Sequence, residues 1–367
     1  MKFHVYTNEI RDALKIVTKC ADPKPQTPIL AAVKIDAADG KLTLTANKFS
    51  VAAQVYLPVN CESTGSVAVN AKLLNEVIGK FKDDVTTFDD ASGFLGVQSG
   101  STNFNLRTFE VKDFPTPNFD CDGFAEVRAN FFRSLLRQSS FAVAKEGENP
   151  VFRGVNLTVT DSTITAVATN SHRVVRNMIH RSYNGAVQFT AIVPVDSAKF
   201  LETALPDDFE VKAQLGSDGK SLVAKFANVA FRTRLIEGEF PPVDDLINVE
   251  KPIVTRFNVA EFRDALNRVN VISRTDTYGT VTLALQEDKI IIRSRNDDMG
   301  DVETIVEATA ADDTDFVTAF NGAYLLDLLS VTDATKMDAH FADKLDPATF
   351  TVPDNADFVY IVTPVRT

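Results

Sequence analysis

The sequence repeats one short pattern three times. In each copy an arginine follows an apolar residue and precedes a leucine by three positions, at residues 8–14, 130–136 and 260–266. The three arginines, Arg11, Arg133 and Arg263, lie 122 and 130 residues apart. A second pattern, in which two apolar residues follow a basic or aromatic one, begins at Lys72, Lys199 and Tyr324, which are 127 and 125 residues apart. Two independent patterns with a similar period indicate three tandem copies of one domain rather than a solenoid of short units.

Length and composition fit a protein of several globular domains. The chain has 367 residues, of which 44% are hydrophobic and 24% are charged, enough for two or three separate cores. No apolar run approaches the roughly 20 residues of a membrane helix, and residues 1–5 lack the apolar core of a signal peptide. We therefore expect a cytoplasmic protein in which Cys20, Cys61 and Cys121 are reduced thiols.

Apolar periodicity predicts the same kind of fold in each copy. Residues 2–6 alternate as a strand, Thr7 or Asn8 is placed to cap a helix, and Ile10, Leu14 and Val17 form its buried stripe. The predicted helices span residues 8–19, 71–81, 129–141, 195–205, 259–270 and 322–331. The predicted strands of the first copy include residues 29–35, 42–46, 50–57, 86–88, 94–97 and 103–109. The fold class is α+β, with two helices packed on antiparallel sheets in each copy.

Turn-rich acidic stretches separate the copies. They lie at residues 116–123 and 243–252 and contain the glycine, proline and aspartate residues that interrupt regular structure. The predicted domains are residues 1–120, 124–245 and 252–367.

One polar cluster suggests catalysis. Ser171 and His172 follow a predicted strand at residues 163–168, and a hydrolase would use them as nucleophile and base. Adjacent side chains seldom reach that geometry, and the glycine-framed turn of a nucleophile is missing. The alternative is a polar turn with a solvated His172 and with Arg173 paired to a carboxylate. The histidines show no metal-ligand spacing, and no phosphate-binding loop follows a strand. The sequence therefore predicts neither an enzyme nor a cofactor.

Charge is distributed unevenly along the chain. A net charge of −12 repels nucleic acid, so any DNA contact needs a local face of opposite sign. The six predicted helices together carry +2, and the remainder carries −14. This is the sign expected if the helices face an anion and the sheets face solvent. Amphipathic helices with randomly placed charges explain the same count.

Short motifs spread over all three copies resemble those of the bacterial DNA sliding clamps, the β subunit of DNA polymerase III. They are Met1-Lys2-Phe3, Pro28-Ile29-Leu30, Asp113-Phe114-Pro115, Phe152-Arg153-Gly154-Val155, Ala168-Thr169-Asn170-Ser171-His172-Arg173, Leu235-Ile236-Glu237-Gly238 and Pro364-Val365-Arg366. Each motif is weak alone, but together and in this order they cover the chain from end to end.

The resemblance implies a processivity factor that is not an enzyme. Two chains would form a head-to-tail homodimeric ring of clamp domains, with helices lining a central hole and sheets forming the outer wall. Duplex DNA would pass through the hole, held by its phosphates without base readout, so that the ring slides. A cleft for short linear motifs would tether the replicative DNA polymerase, the clamp loader and repair proteins.

The resemblance also implies DNA-contacting residues. Lys24 and Lys72 match family contacts, and the charges on the predicted helices add Arg133, Arg137 and Lys199. One family lysine, near the start of the fourth helix, is replaced here by Asp196.

The peptide cleft implied by the resemblance lies between the second and third domains. Its wall would comprise Phe152, Thr169, Ser171, His172, Arg173, Val174, Pro241, Leu246, Pro347, Val362, Thr363, Pro364, Val365 and Arg366. An apolar pocket would take leucine or phenylalanine side chains, while backbone groups and Arg173 orient the peptide. The chain departs from the family at Asn170 (aspartate), Val174 (leucine), Asp245 (a basic residue) and Thr363 (methionine). Threonine in place of methionine predicts a smaller, less adaptable pocket.

The implied dimer contact pairs Phe104 and Leu106 of the first domain with Val271 and Ile272 of the third. Core packing explains the same residues, since one face of an alternating strand is usually buried. A second hypothesis for the whole chain is a clamp-shaped peptide-binding scaffold that does not retain DNA, which the net charge and Asp196 favour.

Overall fold

The computed structural model describes residues 1–91, 93–147, 149–181, 187–310, 316–353 and 355–366. Within these ranges the chain forms seven α-helices and 25 strands. Each third of the chain follows one order: a strand, a helix, four or five strands, a second helix and three strands. The predicted α+β class with two main helices in each copy is confirmed. None of the helices in the described ranges is long and apolar enough to cross a membrane.

The first copy contains α1 (Thr7–Val17) and α2 (Ala71–Lys80). Its strands are β1 (Lys2–Tyr6), β2 (Ala32–Ala38), β3 (Lys41–Asn47), β4 (Val51–Pro58), β5 (Asn60–Ser63), β6 (Gly65–Asn70), β7 (Val85–Ala91), β8 (Phe94–Ser99) and β9 (Thr102–Phe109). The second copy contains α3 (Ala129–Ser140) and α4 (Val195–Ala204). Its strands are β10 (Ala125–Arg128), β11 (Gly154–Val159), β12 (Thr163–Thr169), β13 (Arg173–His180), β14 (Phe189–Pro194), β15 (Lys212–Ser217), β16 (Ser221–Phe226) and β17 (Val229–Arg234).

A short helix, α5 (Asp244–Ile247), precedes the third copy, which contains α6 (Val259–Ser273) and α7 (Gly322–Val331). Its strands are β18 (Ile253–Asn258), β19 (Thr280–Gln286), β20 (Lys289–Asn296), β21 (Gly300–Ala310), β22 (Val317–Asn321), β23 (Lys336–Phe341), β24 (Ala348–Val352) and β25 (Asn355–Val362). The sequence predicted a turn-rich boundary where α5 forms, and it ended α6 at residue 270, three residues early.

The start of α1 differs from the prediction. Its cap position is Tyr6, which makes no side-chain capping bond, so neither Thr7 nor Asn8 caps the helix. Thr7 is buried instead, with its hydroxyl 2.9 Å from that of Thr86. The buried stripe of Ile10, Leu14 and Val17 is confirmed.

The prolines before β2 delay that strand. Pro28 occupies the first turn of a 3-10 helix, Pro28–Ala31, a position where its missing amide hydrogen is tolerated. The strand predicted from residue 29 therefore begins at Ala32.

Compact packing divides the chain differently from the repeats. Among the described residues, one unit comprises residues 1–130, 187–189 and 203–235, and the other comprises residues 131–181, 190–202 and 236–366. In the first unit β4 of copy one pairs antiparallel with β17 of copy two. In the second unit β13 of copy two pairs antiparallel with β25 of copy three. Because backbone pairing crosses each boundary between copies, the strands of the middle copy are divided between a 13-stranded and a 12-stranded sheet.

Candidate functional site

A rigid polar turn joins β12 to β13. The Thr169 hydroxyl accepts a hydrogen bond from the Ser171 amide (3.1 Å) and donates one to the Arg173 carbonyl (2.8 Å). The Asn170 carboxamide oxygen accepts bonds of 3.0 Å from the amides of His172 and Arg173. Ser171 adopts a left-handed conformation with φ of 74°, which is uncommon for a residue with a side chain. The turn holds His172 at the surface, as predicted.

Arg173 is buried, and two of its three guanidinium nitrogens bond to groups of its own unit, while its Nε has no hydrogen-bond partner among the described residues. It is 5% exposed, and it donates bonds of 2.7 Å to the Asp327 carboxylate and to the Phe141 carbonyl. Its guanidinium carbon lies 4.4 Å from the ring centre of Tyr324, within cation–π range. The predicted carboxylate partner is confirmed. The guanidinium thus lies against Tyr324, which lines the cavity described below, and the expected role of Arg173 in orienting a peptide stays a prediction.

Beside this turn lies a cavity of about 380 Å³. Its lining residues are His172, Tyr278, Asn321, Tyr324, Thr363, Pro364, Val365 and Arg366. The His172 carbonyl accepts bonds from the amide (2.9 Å) and the hydroxyl (3.0 Å) of Thr363, and the Val365 amide donates to the Ala319 carbonyl at 2.7 Å. The carboxyl-terminal segment is therefore fastened along one wall. The resemblance identified five of the lining residues. The other three, Tyr278, Asn321 and Tyr324, belong to copy three, and no motif assigned them to the cleft.

A separate apolar cluster contains Val174, another of the predicted cleft residues. Its buried members are Val167, Val174, Val243, Val359 and Ile361, and Phe240 and Ile247 pack against them. The carried-over wall residue Val362 does not belong to this cluster. Successive side chains of a strand point to opposite faces, so Ile361, which pairs with Val174 across the sheet, lies on the face of the cluster, and Val362, which pairs with Arg173, lies on the other.

The other predicted cleft residues differ in exposure. Phe152 is half-buried with its ring centre 6.0 Å from that of Phe240, Leu246 on α5 is 45% exposed, Pro241 is exposed and Pro347 is half-buried. Thr169 and Val174 are buried. The structure thus contains a cavity with aromatic and polar walls. It also contains an apolar cluster, and the exposed Leu246 lies close in sequence to its members Val243 and Ile247.

The predicted DNA-contacting lysines are exposed. Lys24 follows the first helix, Lys72 lies on α2 and Lys199 on α4. The Lys72 amine is 4.0 Å from the Glu76 carboxylate, and its side chain is 84% exposed, so this pair leaves the lysine accessible. Asp196, on α4 with Lys199, is exposed as well. Because Lys19 lies beyond the end of α1, the six long helices carry +1 rather than the predicted +2.

The two predicted arginines are engaged within their own unit. Arg133 donates from Nε to the carbonyl of Glu202 at 3.2 Å. Arg137 forms an ion pair with Asp333. Both bonds bring together residues far apart in sequence, and local helix charge gave no indication of either.

The four predicted dimer residues divide into two kinds. Phe104 is 37% exposed and Val271 is 55% exposed, whereas Leu106 is 6% exposed. Ile272 is half-buried. Leu106 is therefore a core residue of its own unit, in agreement with the alternative of core packing, while Phe104 and Val271 remain available for contact.

Comparison with known proteins supports one family over all three copies. Family models of the N-terminal, central and C-terminal domains of the DNA polymerase III beta subunit match residues 1–118, 126–242 and 246–366. Among curated relatives, the beta sliding clamp of Bacillus subtilis is 24% identical over 100% of both chains. That of Lactococcus lactis is 25% identical, again over 100% of both.

Solved structures share the fold. A DNA polymerase sliding clamp from Bacillus subtilis has a TM-score of 0.93 at 24% identity, covering 100% of this chain and 99% of that one. A sliding clamp from Pseudomonas aeruginosa bound to griselimycin has a TM-score of 0.93 at 22% identity, covering 100% of both chains.

Three tandem α+β domains that share sheets across their boundaries, with a cleft beside the carboxyl-terminal segment, define a protein of the sliding-clamp class. The models for all three domains then make the assignment specific: the chain belongs to the DNA polymerase III beta subunit family. The resemblance drawn from the sequence motifs is confirmed.

Proposed function

We propose that this chain is the processivity factor of a replicative DNA polymerase. Two copies form a head-to-tail ring that encircles duplex DNA, slides on it and tethers the polymerase, the clamp loader and repair proteins through short linear motifs. The observation that carries the proposal is the match of three consecutive clamp domains over nearly the whole chain. The protein acts by binding rather than catalysis, in the cytoplasm, and its domains keep the boundaries 1–120, 124–245 and 252–367.

Two open strand edges support the homodimer. Residues 102–107 of β9 pair only with β8 among the described strands, and residues 300–307 of β21 pair only with β20. Unpaired edges of this length are templates for pairing with another chain. Each edge carries an exposed apolar side chain, Phe104 at 37% and Ile305 at 54%. We propose that β9 of one copy pairs antiparallel with β21 of a second copy, which covers both edges. The same pairing forms between the other β9 and β21, so the two chains close into a ring.

The exposed lysines support sequence-independent contact with DNA. Lys24, Lys72 and Lys199 have accessible amines that neutralise phosphates without reading bases. Arg133 and Arg137 add to the positive electrostatic potential, although their side chains are bonded to Glu202 and Asp333. Weak attraction of this kind suits a ring that is held on DNA by topology and must slide.

The cleft supports the tethering role. A cavity of about 380 Å³ and an apolar cluster that includes Val174 and Ile361 match the needs of a short peptide with leucine or phenylalanine side chains.

The decisive experiment measures retention on plasmid DNA. A closed ring stays on a nicked circular plasmid through gel filtration and is released after the plasmid is linearised, because the ring slides off the ends. Equal release from both forms contradicts the ring and favours the peptide-binding scaffold, the second candidate, which the exposed Asp196 on α4 supports.

A further inference from the structure

The two places where neighbouring copies share a sheet have the same architecture. We call the pairing of β4 with β17 the first joint and the pairing of β13 with β25 the second joint. In the first joint Ala52 lies opposite Arg232, and in the second Val174 lies opposite Ile361. One position further along, Phe231 and Tyr360 are both fully buried. The registers therefore match position by position.

Each joint also carries an apolar cluster on the corresponding face. At the second joint Val174 and Val359 belong to the cluster of the proposed cleft, to which the connecting stretch contributes the buried but smaller Val243. At the first joint their counterparts, Ala52 and Ala230, cluster with Val223 and Phe119. Alanine in place of valine leaves more room above the sheet, and the ring of Phe119 packs there, 8% exposed.

The segment that carries Phe119 is fastened to the first joint. The Arg232 guanidinium donates a 2.7 Å bond to the carbonyl of Asn118, and a second nitrogen donates to the Asp218 carboxylate at 2.7 Å. Further back, the Asn47 carboxamide donates to the Pro115 carbonyl at 2.9 Å. Arg232 occupies the position in the first joint that Ile361 occupies in the second. The two joints therefore differ at this position: the second has an apolar side chain, and the first has a guanidinium that binds the connecting segment at Asn118.

We infer that Phe119 occupies the first joint as an internal ligand, in the way that an aromatic side chain of a partner peptide occupies the second joint. Phe119 and Arg232 thereby determine that only one of the two joints in each chain accepts peptides. The inference rests on the proposed peptide-binding role of the second joint.

The test removes the internal ligand and counts binding sites. Isothermal titration with an acetylated pentapeptide containing leucine and phenylalanine gives one site per chain for the native protein and two for Phe119→Ala. Phe114→Ala is the matched control, because Phe114 precedes Phe119 in the same connecting stretch and is equally buried, at 6%, but packs with Ile29, Leu30, Ala32 and Ala68 inside the first copy. It keeps one site. A single site in folded Phe119→Ala overturns the inference.

A second variant, Arg232→Met, and photo-crosslinking of the peptide test the inference if Phe119→Ala does not fold. Arg232→Met keeps the apolar length of the side chain while releasing Asn118, so it gives a second, weaker site even if Phe119→Ala does not fold. The peptide carrying p-benzoylphenylalanine is then photo-crosslinked and the products are mapped. Crosslinks to β4 or β17 in folded Phe119→Ala, or in Arg232→Met if Phe119→Ala does not fold, support the inference, and their absence overturns it. Failure of the native protein to crosslink at β13 or β25 contradicts the proposed cleft, independently of the result at the first joint.

Discussion

Arg11 donates a 2.7 Å hydrogen bond from Nη2 to the backbone carbonyl of Phe81, the residue that directly follows α2. The same relationship occurs in each copy: Arg133 donates to Glu202 in the last turn of α4, and Arg263 donates to Leu329 in the last turn of α7 at 3.3 Å. The last carbonyls of a helix lack partners within the helix and carry partial negative charge. The repeated arginine therefore binds the end of the second helix to the first in all three domains.

Replacing Arg11 with alanine removes this bond and leaves the Phe81 carbonyl without its charged donor. We expect the free energy of unfolding to fall by about 2 kcal/mol, measured by urea denaturation followed by circular dichroism. Lys15→Ala on the same helix is the control, because the pair that Lys15 forms with Asp12 is exposed and its loss should change stability little. Equal effects of the two variants would contradict the proposed role of Arg11.

Lys72→Ala should weaken DNA binding without affecting the fold. The slope of log K against log salt concentration becomes shallower by about 0.9 for each phosphate that the protein no longer neutralises. Fluorescence anisotropy with duplex DNA measures this slope over a salt series. Lys336→Ala changes an exposed lysine on β23 and should leave the slope unchanged. An unaltered slope for Lys72→Ala removes that residue from the DNA-contacting set.

Leu246→Asp should reduce affinity for the leucine-containing pentapeptide by at least about tenfold, since a charged side chain replaces apolar area at the rim of the cleft. Leu246 is 45% exposed, so the fold should persist. Asp244→Ala, at another exposed position of α5, is the control for nonspecific effects of changing this helix. Isothermal titration measures the affinity of each variant for the peptide. Equal affinities would show that Leu246 does not line the cleft.

Val271→Asp and Ile272→Asp should each convert the dimer to monomers. Both residues lie in the last turn of α6, and a dimer interface would have to bury the new charge without a partner. Sedimentation equilibrium at micromolar concentration distinguishes one chain from two. Leu345→Asp changes a 59% exposed residue away from α6 in sequence and should leave the dimer intact. If Val271→Asp remains dimeric as the control does, the dimer interface implied by the family resemblance is wrong.

His340 makes part of the stability dependent on acid pH. Burial lowers the pKa of His340, the charge of Lys251 acts in the same direction and that of Asp338 opposes it. The unfolded chain therefore binds the proton more readily, so the contribution of His340 is present above an unfolded pKa of about 6.5. It is lost as pH falls from that value through the folded pKa.

Replacing His340 with glutamine should flatten the decline in unfolding free energy between about pH 7 and 5, measured by urea denaturation at each pH. Glutamine is able to keep a hydrogen bond to the Thr351 hydroxyl, which lies 2.9 Å from the histidine ring. His180→Gln, at an exposed position beside Asp357, provides the comparison. An unchanged profile for His340→Gln would rule out this histidine as the source.

Local patterns predicted much of the fold because they depend on residues close together in sequence. The stripe of Ile10, Leu14 and Val17 defined the buried face of α1, since its spacing follows the helical period. The turn at Thr169–Arg173 was expected to be polar because its residues bond to their own backbone. The threefold repeat emerged from spacing alone.

The site could be predicted only where a continuous motif carries it. The carboxyl-terminal residues Pro364, Val365 and Arg366 were identified by resemblance and do line the cavity. Tyr278 and Tyr324 were missed because they approach the cavity from separate elements. A motif also does not state which face of β25 is covered, and Ile361 rather than Val362 belongs to the apolar cluster. Arg133 was assigned to DNA on charge, while its bond to Glu202 depends on a helix 69 residues away.

The amino-acid sequence by itself determined three α+β copies, their main helices and the family, since periodicity, turn chemistry and motifs are local properties. Only the tertiary structure decided how the copies are joined. The pairings of β4 with β17 and of β13 with β25 use backbone groups that every residue possesses, so no side-chain pattern marks them. The same absence of a local signal hid the burial of Arg173 and the place that Phe119 takes in the first joint.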